Sequence, residues 1–333
     1  MPRVSVIMGI YKEPIEWMSI AVNSILEQTF KDFEFIIVND CPDRKENTQF
    51  LAEYSKKDTR IVVVNNDVNI GLTKSLNKAL DIVHGEYIAR MDADDICLPS
   101  RFEKQVAYLD RHPNIATVGS WTSRIDENGS ETEIVKFETN PRWIKAQLLQ
   151  NSQLCHPSAM FRRKIKDYIV RYDESLRYAQ DYALWVSIMS YGEISNIPEV
   201  LFRYRISGQQ ITSNKKVEQE ECAKIIQKRA FNILGFHPTD SFLNLYFTIV
   251  VQHRNDINDI IILQEFRSFF KKEIVTKNNV LAMELIYSTY LFYLNNRKKK
   301  SVFNLLKNNT LFMDMLCVKL LFDLFIRKII RKF

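Results

Sequence analysis

The stretch that decides the fold is Glu86–Pro99, EYIARMDADDICLP, in which a short apolar run, Tyr87–Met91, passes directly into Asp92, Asp94 and Asp95. The apolar run reads as a strand. A half-buried strand ending in three acids crowds like charges at a sheet edge, and carboxylates that close resist shared ionisation. A hard divalent cation with oxygen ligands, Mg²⁺ or Mn²⁺, is their natural partner. In α/β sheets the carboxyl ends of strands are also where ligands bind. The plainer reading is an Asp-rich turn capping the helix that follows, and Asp-x-Asp alone does not separate the two.

Upstream, Val4–Ile10 is a β-branched run, and Pro14–Gln28 places Ile15, Met18, Ala21, Val22, Ile25 and Leu26 at helical spacing. Phe33–Asn39 reads as a second strand, Arg60–Val64 as a third, and Leu72–Val83 as a helix with Leu72, Leu76, Ala79, Leu80 and Val83 on one face. Strands alternating with helices imply parallel pairing and a layered α/β domain, with the site in loops at the carboxyl ends of the strands. The second strand ends in Asn39-Asp40 and the fourth in Asp92-Ala93-Asp94, so two separate strands deliver acids to one edge. Downstream, helices are expected over Arg101–Asp110, Pro141–Leu149 and Tyr182–Tyr191. Extended segments are expected over Ala116–Ser123, Thr132–Phe137, His156–Phe161 and Ile197–Tyr204, with a turn at Asp126–Ser130. Beyond about residue 215 strand signals fade and helical stretches take over, at Val217–Leu234, Asp240–Gln252 and Val280–Leu294.

With 333 residues and 46% hydrophobic content the chain can bury a large core, and eight Gly and nine Pro exclude a low-complexity or collagen-like chain. A formal charge of +6 suits anionic ligands or a membrane surface and is too small to indicate nucleic acid. The five cysteines are scattered, without a C-x-x-C pair, which argues against a zinc site or disulfide framework and for a reducing compartment. The apolar run in MPRVSVIMGIYKEP is too short for a signal peptide, and no uninterrupted apolar stretch approaches eighteen residues, so no spanning helix is expected.

Five phrases in order, VSVIMGIYKEP, SILEQTFKDFEFIIVND, NDVNIGLTKSLNKAL, HGEYIARMDADDICLPSRFEKQ and YAQDYALWVSIMSYG, resemble the family 2 glycosyltransferases, over roughly residues 3–205. The resemblance implies an α/β fold of the GT-A type (nucleotide-diphospho-sugar transferase, Rossmann-like) over 1–215, with a mostly helical region over 216–333. The version with ARMDADDICLPSRFEKQ is similar to bacterial transferases of capsule, exopolysaccharide and lipopolysaccharide assembly. These move a sugar, with inversion, from a nucleotide diphosphate donor, commonly a UDP-sugar, to a glycan or lipid-linked acceptor. By this resemblance Asp92 and Asp94 hold Mn²⁺ or Mg²⁺ against the donor diphosphate, and Asp95 caps the next helix or holds neighbouring backbone. Asp40 reads the nucleobase, Tyr11 stacks on it, Glu13 shares that loop, and Asn69 with Gly71 lies near the phosphates, where helix amides favour anions.

Asp181 then takes the acceptor hydroxyl's proton as general base, or caps the helix it begins; the two roles are compatible. His156, Arg162, Gln180 and Trp185 fall on the acceptor side, Trp185 being most simply core. The chain departs from the family pattern at three places: Asn39-Asp40-Cys41-Pro42 where Asp-Asp-Gly-Ser is usual, Leu76 where an Arg is often found, and Gln180 in place of Glu. A sugar-nucleotide-forming nucleotidyltransferase would show a better Gly-rich phosphate loop than Gly9-Ile10-Tyr11-Lys12-Glu13. A non-enzymatic carbohydrate- or metal-binding assembly protein would not need Asp40, Asp92, Asp94 and Asp181 together.

At the C-terminus, Thr310–Phe333 sets Lys319, Asp323, Arg327 and Arg331 at four-residue intervals among apolar residues, a basic amphipathic helix. It either docks on an anionic membrane surface or packs on the protein with a solvated charged stripe. The membrane reading fits a cytoplasmic enzyme held peripherally at the inner face of the cytoplasmic membrane, where a lipid-linked acceptor would be met.

Overall fold

Val4–Ile10 (β1) carries Val4, Val6, Ile7 and Ile10, all buried, so both faces are covered as a central strand of a parallel sheet requires. A computed structural model describes residues 1–176, 178–207 and 216–250, with Glu265, Ser268 and Phe269. In it β1 is followed by α1 (Ile15–Leu26), β2 (Phe33–Asn39), α2 (Lys45–Lys57), β3 (Ile61–Asn65), α3 (Leu72–Leu80) and β4 (Tyr87–Met91). These four strands pair in parallel in the order β3-β2-β1-β4. Ile10 is level with Asn39 and Met8 with Met91, so the loops that begin at Tyr11, Asp40 and Asp92 leave from one edge. α1 covers this half through Met18, Ala21, Val22 and Ile25, each burial contributing roughly 1–3 kcal/mol for the larger side chains.

The helix α2 carries no clear sequence signal. Its buried face is Asn47, Phe50, Leu51 and Tyr54, a helical i, i+3, i+4, i+7 set whose first member is polar.

The second half is mixed rather than parallel. After β5 (Ile96–Cys97) and α4 (Arg101–Arg111) come β6 (Ile115–Ile125), β7 (Glu131–Val135), α5 (Pro141–Gln147) and a 3₁₀ turn at His156–Ser158. β8 (Met160–Arg162), β9 (Lys164–Ile165), β10 (Tyr168–Ile169), α6 (Gln180–Ile188) and β11 (Glu193–Arg205) complete this part. β8 lies between β4 and β6, antiparallel to both, because the chain re-enters the sheet from the carboxyl edge through the 3₁₀ turn. β11 runs parallel to β6 and carries β5 antiparallel on its far side. The parallel pairing expected from the alternating strands and helices holds for β1 to β4, while β8, β5 and β7 add antiparallel pairs. The segment expected to be extended from His156 is a 3₁₀ turn as far as Ser158.

The chain divides into two compact units, Met1–Ile226 and Gln227–Phe333. Helices α7 (Lys216–Ile233) and α8 (Asp240–Val250) follow the sheet in sequence. In the second unit Phe231, Phe236, Phe242, Tyr246 and Phe269 form an aromatic cluster, with Phe242 and Phe269 stacked at 4.1 Å. The stretches Val280–Leu294 and Thr310–Phe333 lie outside the described residues. Among the described residues no helix is long and apolar enough to cross a membrane.

Gly85, just before β4, packs against β1 so closely that a Cβ would stand 2.6 Å from Ser5 N and 2.8 Å from the Val4 carbonyl carbon, while its own amide donates to Ser5 Oγ at 2.8 Å. Backbone cannot yield there as a flexible side chain would. Gly85→Ala should lower the unfolding free energy by about 1–3 kcal/mol, and urea unfolding at unchanged m-value would read it.

Candidate active site

β4 is buried on both faces and includes Arg90, whose side chain is 0% exposed. A guanidinium cannot shed its charge, and a buried one needs a partner. Arg90 Nη2 donates to Asp92 Oδ1 at 2.5 Å, and Nη1 donates to the Met91 carbonyl. Asp92, Asp94 and Asp95 each offer a carboxylate oxygen, all within 4.8 Å of one another. Asp95 Oδ1 accepts from the Arg205 amide at 2.7 Å, while Asp95 Oδ2 is buried without a hydrogen-bond partner. Burial, then the fields of Asp92 and Glu13, push the Asp94 carboxyl up to about 7. Burial, then Asp94 and Asp92, hold Asp95 well above the carboxylate range. Three converging oxygens, one orphaned, and two carboxyls that ionise reluctantly fit a hard divalent cation. Asp95 does not cap the next helix: the N-cap position of α4 is Ser100.

Beside the acid turn a cavity of about 580 Å³ has Tyr11, Lys12, Asp40, Cys41, Arg44 and Asn69 among its walls. The Tyr11 ring is 41% exposed, with Lys12 Nζ 5.1 Å from its centroid. Asn47, on the buried face of α2, donates to the Tyr11 carbonyl at 2.8 Å and to Asn39 Oδ1 at 3.2 Å, which ties this loop to the end of β2. Asp40 is nearly buried and heavily engaged. Its Oδ1 accepts from Asn66 Nδ2 and the Ile70 amide and its Oδ2 from the Gly71 amide, all at 2.8 Å. Gly71 has φ +87°, a conformation that favours glycine, just as α3 begins. Asp40 thus organises the 69–71 loop, and any base it reads shares the carboxylate with three protein donors. Asn69 donates to the Asp40 carbonyl at 3.3 Å. Glu13 accepts from the Tyr11 amide at 2.7 Å; burial raises its carboxyl and Asp92 raises it further, so Glu13 adds its charge to the acid turn. Leu76, where the family often has an Arg, is fully buried.

On the other side, α6 begins at Gln180, with Asp181 in its first turn. Burial pushes the Asp181 carboxyl up, against the lowering effect of the Tyr182 amide, of Ser152 and of Arg90. Tyr172, buried between, feels the charge of both Asp181 and Asp92, and its hydroxyl shares a 2.8 Å hydrogen bond with His156 Nε2. Burial, then the field of Arg90, drive His156 well below its usual value, so the ring is neutral.

Of the expected acceptor-side residues, Trp185 is the core residue that its simplest reading gave and Arg162 is corrected. Trp185 is 0% exposed on the buried face of α6 and meets His156 and Phe161 edge-on at 6.0 and 6.2 Å. Arg162 is level with Tyr87 at the amino end of β4, the edge opposite Asp92, and donates to the Ile115 and Leu109 carbonyls at 2.9 and 2.8 Å. Strand β8 runs antiparallel, so each residue past Met160 moves away from the acids. Sequence reading missed Arg90, Tyr172 and Arg205. Only Arg90 carries a signal, as a lone charge inside an apolar strand two residues before Asp92.

A parallel four-stranded half presenting acids at its carboxyl edge, joined to a mixed half that carries Asp181, is the architecture of a GT-A glycosyltransferase. Residues 5–169 match the model of the family described as Glycosyl transferase family 2. An uncharacterized glycosyltransferase of Methanocaldococcus jannaschii is 41% identical over 207 residues, covering 62% of this chain and 71% of the relative. The amylovoran biosynthesis glycosyltransferase AmsE of Erwinia amylovora is 32% identical over 216 residues, covering 63% and 79%. Among solved structures, S. aureus TarS 1-349 in complex with UDP-GlcNAc superposes with a TM-score of 0.60 at 17% identity, covering 86% of this chain and 83% of that one. The chain belongs to glycosyl transferase family 2. That membership answers the choice left open by the residues alone in favour of a glycosyltransferase.

The neutral, buried His156 makes a pH prediction. Its folded pKa lies below the ordinary 6.5, so the unfolded chain binds the extra proton first as pH falls. The stability contributed by the neutral ring is full above about pH 6.5 and is lost as pH drops toward the folded value. The stability difference between the native protein and His156→Gln should therefore shrink by about 1.4 kcal/mol per pH unit below 6.5. Urea titrations of both proteins between pH 7.5 and 5 would show a constant difference if His156 titrated normally.

Proposed function

We propose that the protein is an inverting, metal-dependent glycosyltransferase that moves a sugar from a nucleoside diphosphate donor, a UDP-sugar, to a glycan or lipid-linked acceptor in surface polysaccharide assembly. The observation that carries this reading is that the acid turn and Asp181 answer to the same two buried side chains. Arg90 and Tyr172 each interact electrostatically with Asp181 and with Asp92, which supports reading the acid turn and Asp181 as parts of one site. The amylovoran-biosynthesis relative supports the polysaccharide context, and the UDP-GlcNAc complex of TarS supports the donor.

In this reading Tyr11 stacks on the base in the cavity beside Asp40, whose remaining lone pair meets a ring N–H. Asn69 and the 69–71 loop fix the nucleoside end. Asp92 and Asp94 would hold Mn²⁺ or Mg²⁺, which supplies positive charge for the departing diphosphate. Asp181 accepts the acceptor hydroxyl's proton as that oxygen bonds C1 and the bond from C1 to the diphosphate oxygen breaks, so configuration at C1 inverts. Its raised pKa makes it a stronger base than an ordinary aspartate, while the helix amides and Arg90 act against that rise. Gln180 beside it, half-exposed, carries no charge and takes no proton. The basic stretch Thr310–Phe333 brings the enzyme to an anionic membrane surface where a lipid-linked acceptor resides; sedimentation of the full chain with phosphatidylglycerol vesicles, and its loss on reversing Lys319, Arg327 and Arg331 to Glu, would test that.

Asp181→Asn should lower kcat by at least about a hundredfold while Mn²⁺-dependent UDP binding stays within a factor of two or three. The acid limb of kcat/KM in the native enzyme should fall above the ordinary carboxylate range. Full turnover by the Asn variant would remove Asp181 from the role of base.

A further inference from the structure

Arg205 ends β11 and is 1% exposed. A guanidinium buried to that degree is costly unless its donors are matched. Arg205 directs Nε and Nη1 to main-chain carbonyls on two segments. Its Nε donates to the Asp94 carbonyl at 2.7 Å, and Nη1 donates to the Asp126 and Glu127 carbonyls at 2.9 and 3.0 Å. The guanidinium carbon lies 4.7 Å from the centroid of Trp17, on α1, and the Arg205 amide donates to Asp95 Oδ1 at 2.7 Å. One residue therefore ties together the acid turn, the turn between β6 and β7, the first helix and the end of the last strand. Two of these four hydrogen bonds fall on Asp94 and Asp95 themselves. Asp95 is gripped by one oxygen only, and its other oxygen is the buried, unpartnered one.

We propose that Arg205 is a positioning residue that sets the main-chain path of the Asp94–Asp95 turn, so that these two carboxylates converge with Asp92 on one divalent cation. The inference rests on the metal reading of the acid turn given above. The planar fork of Arg is what the task requires, because Nε and Nη1 must reach carbonyls on two different segments at once. A Lys ammonium at the same place keeps the charge but reaches one.

Arg205→Lys separates geometry from charge. Binding of Mn²⁺ alone to the full-length native and variant proteins is measured by calorimetry well below the melting temperature, with circular dichroism and a metal-free melt to verify folding. The variant should bind Mn²⁺ about 10–100-fold more weakly, whereas a purely structural role would lower the melting temperature and leave the affinity of the folded protein unchanged. A cooperatively folded variant that binds within twofold of native overturns the proposal. A native protein that fails to bind Mn²⁺ is a different result: it overturns the metal reading itself. Should the variant not fold, hydrogen exchange on the native protein decides. Added Mn²⁺ slowing the amides of Asp94, Asp95 and Arg205 together supports the proposal, and slowing at the acid turn with Arg205 unchanged overturns it.

Discussion

Like charges crowded at the carboxyl edge of the sheet are the constraint on which the rest of this protein depends. Two carboxylates 4.8 Å apart repel by roughly 3 kcal/mol at the effective dielectric of a protein surface, and here Asp92, Asp94 and Asp95 meet with Glu13 nearby. Such a cluster persists only if the scaffold forces it. The forcing is visible in two buried arginines. Arg90 reaches from within β4 to neutralise Asp92, and Arg205 reaches from β11 to hold the carbonyl of Asp94. Each holds the acid turn from a different strand, so the cluster is fixed at two points.

The same logic runs through the cavity walls with neutral donors. Asp40 is the hub of a polar network that includes Asn66, Ser75 and the amides of Ile70 and Gly71. Asn39 beside it accepts from Asn47 and donates to Asn65. These bonds connect α2, β2, β3 and the start of α3, so the loops around the cavity are held by side-chain amides rather than by further sheet. A wall built this way keeps a polar, shaped surface, which an apolar core would not supply.

Much of the first half was legible because burial on both faces of β1, β2 and β4 leaves runs of Val, Ile and Phe that nothing but a central strand explains. Phe33–Asn39 and Tyr87–Met91 lie where the sequence reading placed them. What stayed hidden has a common cause. α2 was missed because Asn47 occupies the first position of its buried face, and hydrophobic periodicity cannot see a polar residue that serves a hydrogen bond. β8 is three residues long and antiparallel, so its short apolar run says nothing of direction. That reversal moved Arg162 to the far edge. Arg205 and Tyr172 carry no local pattern, since their roles exist only once distant segments meet.

The reversal at β8 also fixes which residues meet the carboxyl edge of β4. A purely parallel continuation would return each connection across a face of the sheet and deliver its loop to that edge. The antiparallel β8 instead begins at that edge. The 3₁₀ turn His156–Ser158 therefore lies against the carboxyl end of β4, where the Ala159 carbonyl accepts from the Arg90 amide at 3.0 Å. His156 then holds Tyr172, and Tyr172 feels both acids. The two halves of the sheet thus meet through a short seam at the Arg90 amide and the Ala159 carbonyl. A neutral imidazole there is compatible with the buried guanidinium of Arg90, whereas an imidazolium would place a second buried cation beside it with no acid of its own. Burial first, and the field of Arg90 second, thus set the protonation state of His156.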